Sequence, residues 1–440
     1  MKSNFSKLCV MMFLEFFIWG AWFLLVSDYL TTLGFTPTEK SWALNAWSLA
    51  SITALFFSNQ FADRNFAAEK FLAFSHLVGG LAILGLAWTT SFWPFFLLLL
   101  VHSLFYVPTI SITNSIAFAN LTNPQKEFGP IRLWGTIGWI AASWPFVFIL
   151  VNWSKVPPMG EVGFVQWLGT ALGSGFDPKD PAERIPYLNG VSYTFVTAGI
   201  ASLVLAAFSL TLPHTPPKPV SEGENRFAWL EAMKLLAKPF LMVLFIVTFI
   251  DATVHQGYFV LTGSFLKNKV GIPPQWIMAV MSIGQVAEIG TMAILGLVLK
   301  RLGWRTTMIL GVLGHTVRFA VFALFPETAP TVLVILLHGI CYAFFFATVY
   351  IFVDEFFPKD ARASAQGLFN FLILGLGVFV GNNVWPQLEG VFKTSEGIDY
   401  SKLFLVPSAT ALVGALLLFL FFRPPEKRVD ELPEEMVAVP

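Results

Sequence analysis

Apolar residues in this chain run in blocks of about 20 between charged or proline- and glycine-marked breaks, the length that carries a helix across a hydrocarbon core about 30 Å thick. Six such blocks fall near residues 9–30, 41–60, 71–90, 92–119, 131–152 and 187–212. Pro213, Pro216, Pro217 and Pro219 then open a charged stretch to Lys238 that no helix can carry through a membrane. Six more blocks follow, near 240–266, 275–299, 305–325, 330–353, 363–388 and 402–423. The pattern predicts an all-α polytopic membrane protein of 12 transmembrane helices. Its parts are a first six-helix bundle at 1–212, a connecting loop at 213–238, a second bundle at 239–423 and a polar tail at 424–440.

Composition sharpens this. Hydrophobic residues make up 56% of the chain and charged ones 12%, against about 25% charged in a soluble domain, so lipid is the solvent of most of the surface. Lys plus Arg and Asp plus Glu are both 27, and nothing in that balance points to a nucleic-acid partner. The two cysteines, Cys9 and Cys341, lie inside apolar blocks and can build neither a disulfide framework nor a zinc site. The first block follows Lys2 and Lys7 as a signal peptide would, but its length, its Glu15 and the lack of a small-residue cleavage site mark it as a retained span. Assigning cations to alternating sides puts 18 on the side of the N-terminus, 8 opposite and Arg318 within a span. The positive-inside rule therefore places both termini and the 213–238 loop in the cytoplasm of an inner-membrane protein.

The two halves echo each other. "LLLVHSLFYVP" in span four resembles "VILLHGICYAF" in span ten, matching His102 with His338 and Tyr106 with Tyr342, while His76 of span three corresponds to His315 of span nine. A duplicated six-helix unit of this kind builds two-bundle transporters whose substrate site lies between the halves at mid-membrane.

Ionisable residues within the spans are the next signal, because an acid or base at the bilayer centre costs on the order of 2.5–3.5 kcal/mol and must face protein or a wet cavity. In span eight, Ser282, Gln285 and Glu288 recur at steps of three and share one helical face. A carboxyl on such a face can hold a proton while the cavity is dry and release it once the cavity hydrates, which is the chemistry of a symporter. Packing against a neighbouring helix is the alternative use. In span five, Arg132 and Thr136 point the same way, with Gly135 and Gly138 permitting close helix contact; an interfacial, snorkelling Arg132 is the competing reading. In span seven, Asp251 and His255 stand four apart beside Gln256, spaced either to relay a proton or simply to pair with each other. Glu15 and the four recurring histidines read as interhelical hydrogen-bond partners, and Arg318 as a buried counter-ion.

"FADRN", before span three, places Asp63 and Arg64 in a short charged loop that resembles the gating loop of the major facilitator superfamily, although the glycine that opens that motif is absent. Further stretches resemble one family within it, the nucleoside:proton symporters: "FLEFFIWGAW", "YVPTISITNSIAF", "GPIRLWGTIG", "LTLPHTP", "GQVAE" and "ARASAQG". The resemblance spans nearly the whole chain. It implies the two-bundle major facilitator fold, a central cavity for a nucleoside, and a proton gradient as energy source with no cofactor or metal. It also implies ligand contacts from Arg132, Thr136, Gln256, Gln285 and Glu288, with Glu288 as the protonatable group; Tyr342, the counterpart of Tyr106, is a further candidate for the substrate site. Family members often carry an acid after the span-ten tyrosine, where this chain has Ala343, and an asparagine near Gln256, where it has Phe259. Coupling could then rest on Glu288 alone, draw on Asp251 with His255, or be lost in an uncoupled facilitator. A sugar or oligosaccharide symporter of the same fold is the rival. An enzyme is disfavoured by the absence of any HExxH or GxSxG string. The expected partners are the nucleoside, protons and the bilayer, with a single chain as the working unit.

Overall fold

A computed structural model describes residues 2–121, 124–217, 237–357 and 362–424; within helices, the side chains of 2–3, 55–65, 124–126 and 362–364 lie outside the description. Spans one to six are Lys2–Leu33, Pro37–Asn65, Ala68–Leu86, Phe92–Ala119, Pro124–Ser143 and Pro181–Ser209. Span seven is Pro239–Phe265, extended by a π-turn at Leu266–Val270, and span twelve is Tyr400–Phe421.

Spans eight and nine, within Ile277–Leu324, are two helices that meet at Gly303, whose φ of 70° and ψ of 174° leave the helical region. Such a φ is accessible to glycine at little cost, so the short connection turns there. Spans ten (328–356) and eleven (362–391) each contain a π-turn, at Tyr342–Ala347 and Phe371–Leu376. These turns re-aim the side chains that follow them.

Within the first half, span one packs on five and six, three on four and six, and two on four. Within the second, the eight–nine helix packs on ten and twelve, and seven on eleven and twelve. The halves meet where span two lies against eleven, one against seven, and five against the eight–nine helix. This is the major facilitator arrangement of two pseudo-symmetric six-helix bundles. Most of the 213–238 loop and the 424–440 tail lie outside the described residues.

Two features depart from the sequence reading. Asp63 and Arg64 belong to the last turn of span two rather than to a free loop, their side chains being outside the description. The long 153–186 connection carries a helix, Phe164–Gly173, that docks on the second half: Gln275 Nε2 and Trp276 Nε1 both donate to the Leu172 carbonyl, at 3.1 and 2.8 Å.

Candidate functional site between the halves

Two glycines set the separation of the helices that carry the site. A Cβ at Gly138 would stand 2.2 Å from the Phe13 carbonyl oxygen, so span five can approach span one only with glycine there. A Cβ at Gly339 would stand 2.6 Å from the Glu288 nitrogen, so span ten lies directly on the backbone that carries Glu288.

Arg132, from span five, lies with its guanidinium 4.0 Å from the centre of the Phe16 ring. It is half-buried and within electrostatic reach of Glu288, Tyr342 and Tyr106. A cation of the first half is therefore within electrostatic reach of an acid and a phenol of the second across the interface. Thr136, one turn along, is half-buried on the same helix.

The three polar residues of span eight do not act alike. Ser282 turns its hydroxyl onto the Ala279 carbonyl at 2.7 Å, and the Gln285 carboxamide nitrogen lies 3.3 Å from His338 Nε2. Glu288, at the end of the row, is the one within electrostatic reach of Arg132.

From Phe16 a wall of rings continues along span one. Trp19 stacks on Trp47 with centroids 4.5 Å apart and meets Trp139 edge-on at 4.8 Å. Phe23 touches Trp47 at 6.0 Å and, across the interface, Phe259 at 5.1 Å. Phe259 meets His338 at 5.8 Å, and His338 leads back through Gln285 to Glu288. This line of contacts is aromatic on the first half and polar on the second, which suits a flat ligand with polar edges. Gln256 has a partner the sequence reading missed: its Nε2 donates to Asn382 Oδ1 of span eleven at 2.7 Å.

Behind this line lies a second polar cluster. The expected pairing of Asp251 with His255 along one helix is replaced by contacts through span nine. His315 Nδ1 stands 3.0 Å from Asp251 Oδ1, and His315 Nε2 bonds His255 Nδ1 at 3.1 Å. The Asp251–His315 contact has ion-pair distance but not hydrogen-bond angles, and both Asp251 oxygens lack a hydrogen bond among the described residues although the side chain is fully buried. Arg318 is within electrostatic reach of Asp251, donates from Nη1 to His338 Nδ1 at 3.1 Å and lies 4.3 Å over the Tyr258 ring. Arg318 Nε and Nη2 and both Asp251 oxygens make no hydrogen bond among the described residues, so the two act on each other electrostatically and not as a bonded pair.

At the end of the bundle away from the N-terminus the halves are tied together by buried ion pairs. Lys40 Nζ lies 2.7 Å from Glu389 Oε2. Lys267 Nζ donates to both oxygens of Asp28 at 2.6 Å, and Tyr187 and Ser264 donate to the same carboxylate at 2.8 and 3.2 Å.

A protein-family model described as "Nucleoside H+ symporter" matches residues 1–176 and 182–427. The chain belongs to the nucleoside H+ symporter family. Among members of known sequence it is 31% identical to the putative nucleoside transporter YegT of Escherichia coli, over 98% of this chain and 96% of that one. It is also 27% identical to the xanthosine permease of the same organism, covering 95% of each. The crystal structure of the nucleoside transporter NupG superposes with a TM-score of 0.77 over 96% of this symporter chain and 99% of its own, at 23% identity. A bacterial homologue of the lysosomal transporter Spinster, inward-facing and unoccupied, superposes at 0.70, with 13% identity, over 95% of this chain and 96% of its own. The second comparison reflects the shared transporter fold. The chain is a multi-pass membrane transporter, not an enzyme.

Proposed function

We propose that the protein takes up nucleosides across the cytoplasmic membrane in symport with protons, by alternating access of the 1–212 and 239–423 bundles around the site between them. The observation that carries this reading is the apposition of Arg132 with Glu288 and Tyr342 across the interface, inside a wall of tryptophans. The ribose hydroxyls find charged and amide partners there, and the base finds ring faces. Glu288 is the acid at the ligand: when Arg132 turns to the nucleoside, Glu288 loses its counter-charge and takes up a proton, which links occupancy to protonation.

Asp251 with His315 and His255 offers a second proton position, favoured by a fully buried carboxyl that has no hydrogen bond among the described residues. With both termini in the cytoplasm, the Lys40–Glu389 and Lys267–Asp28 pairs lie on the outer side, and the conformer described is closed to the outside. One chain holds the whole site and works alone.

The test is uptake of labelled uridine and adenosine into proteoliposomes, with and without an inward proton gradient and with sugars as competitors. Gradient-stimulated nucleoside uptake supports the proposal. Uptake that sugars abolish, or none at all, overturns it, and gradient-independent uptake identifies a facilitator.

A further inference from the structure

Asn382 lies on span eleven and is almost wholly buried, at 1% exposure. The approach of spans seven and eleven that brings it to Gln256 depends on its neighbour Gly381, where a Cβ would stand 2.8 Å from the Gln256 Cβ and 3.0 Å from the Thr253 carbonyl oxygen. Asn382 Oδ1 accepts from the Gln256 amide, and its Nδ2 is left without a partner among the described residues. Trp22 Nε1, from the first half, is likewise buried and unpartnered. Both side chains line one enclosed cavity between the halves, together with Gln256, Trp47 and the apolar Phe23 and Leu44.

Buried donors are seldom left unpaired in native proteins. Here two of them, from opposite halves, line a space with an apolar remainder, so its occupant must bring an acceptor. The cavity measures about 10 Å³, room for about one water-sized group and not for a ring. An exocyclic carbonyl oxygen, with two lone pairs for two N–H donors, fits both the volume and the chemistry. An exocyclic amino group of the same size brings further donors and leaves Asn382 and Trp22 unpaired.

Resting on the nucleoside reading above, we propose that Asn382 and Trp22 read the exocyclic oxygen of the base, so that the carrier prefers oxo-bases to their amino counterparts. The discrimination is assembled from both halves, and it forms only in the conformer that brings spans one and eleven together.

The experiment compares uridine with cytidine, and inosine with adenosine, in proteoliposomes of the full chain carrying wild type, Asn382→Ala or Trp22→Phe. Wild type should favour the oxo member of each pair. Each variant should lower the oxo-to-amino ratio of kcat/KM by about tenfold, the loss of one buried hydrogen bond. Wild-type preference for the amino members, or ratios unmoved in both variants while uptake persists, overturns the inference. Should Asn382→Ala fail to reach the membrane, Trp22→Phe decides alone, since it keeps the ring and removes one N–H. Absence of uptake of all four nucleosides by wild type overturns the proposed function itself, and with it this inference.

Discussion

Asp251 and His315 repeat in the second bundle the buried acid–histidine contact that Glu15 and His76 make in the first, at 3.0 Å against 2.9 Å. The repeat is not a copy. Glu15 is saturated: His76 Nε2 meets one oxygen, Thr109 donates to the other at 2.8 Å, and His76 is itself held by Ser202 at 2.9 Å. Asp251 has none of these hydrogen bonds. One duplicated position therefore became a structural joint in one half and an unsaturated acid in the other.

This difference separates two substitutions. Glu15→Gln should destabilise the protein by about 1–3 kcal/mol, the cost of breaking a buried charged hydrogen-bond network, read as a lower melting temperature in detergent with residual transport intact. Asp251→Asn should leave the melting temperature nearly unchanged and cut gradient-driven uptake by about tenfold or more, on the scale of lost coupling free energy. The reverse pattern would make Asp251 the joint.

Arg132→Ala should weaken nucleoside binding by at least about tenfold, as expected for loss of a charge-assisted contact, while insertion and yield stay normal. Arg132→Lys should recover only part of the affinity, because an ammonium cannot reproduce the planar fork of donors. Equilibrium binding to detergent-solubilised protein reads both; normal affinity in the alanine variant would remove Arg132 from the site.

Glu288→Gln should abolish stimulation by a proton gradient and leave nucleoside exchange between loaded vesicles within about twofold of wild type, because it removes the titrating group and keeps hydrogen-bonding capacity. Counterflow beside gradient-driven uptake makes the comparison. An equal loss in both assays would make Glu288 a ligand contact rather than a coupling group.

Lys40 and Glu389 form a buried pair between spans two and eleven, and breaking one partner strands a buried charge in the closed conformer alone. Lys40→Ala should therefore raise the population open on that side by about tenfold or more, seen as faster labelling of a cysteine placed among the outer residues. The exchange Lys40→Glu with Glu389→Lys should restore slow labelling. Unchanged labelling in Lys40→Ala would show that this pair does not hold the gate.

Most of the architecture was legible because every span announces itself by an apolar run of bilayer length. The break between spans eight and nine was legible too, because "KRLGWR" reads as a short charged connection and Gly303 within it leaves the helical region. For the site, helical spacing singled out Glu288 and Arg132 as candidates, and the echo between the halves pointed to Tyr342. At Asp251 spacing left a relay with His255 or a simple pairing open, and the fold sets His315 between the two. A signal was available: Glu15, His102 and Tyr106 stand at one constant offset from Asp251, His338 and Tyr342, which marks the two acids as equivalents. Asn382 carries no charge and sits in an ordinary "GNNVW" string, and only tertiary packing pairs it with Gln256.

The most direct test of proton-coupled nucleoside uptake is luminal pH in proteoliposomes with no imposed gradient, followed by a trapped dye as uridine is added outside. Symport predicts that the lumen acidifies in step with labelled uridine entry, and that neither occurs in protein-free vesicles. Uridine accumulation with an unchanged luminal pH would contradict it.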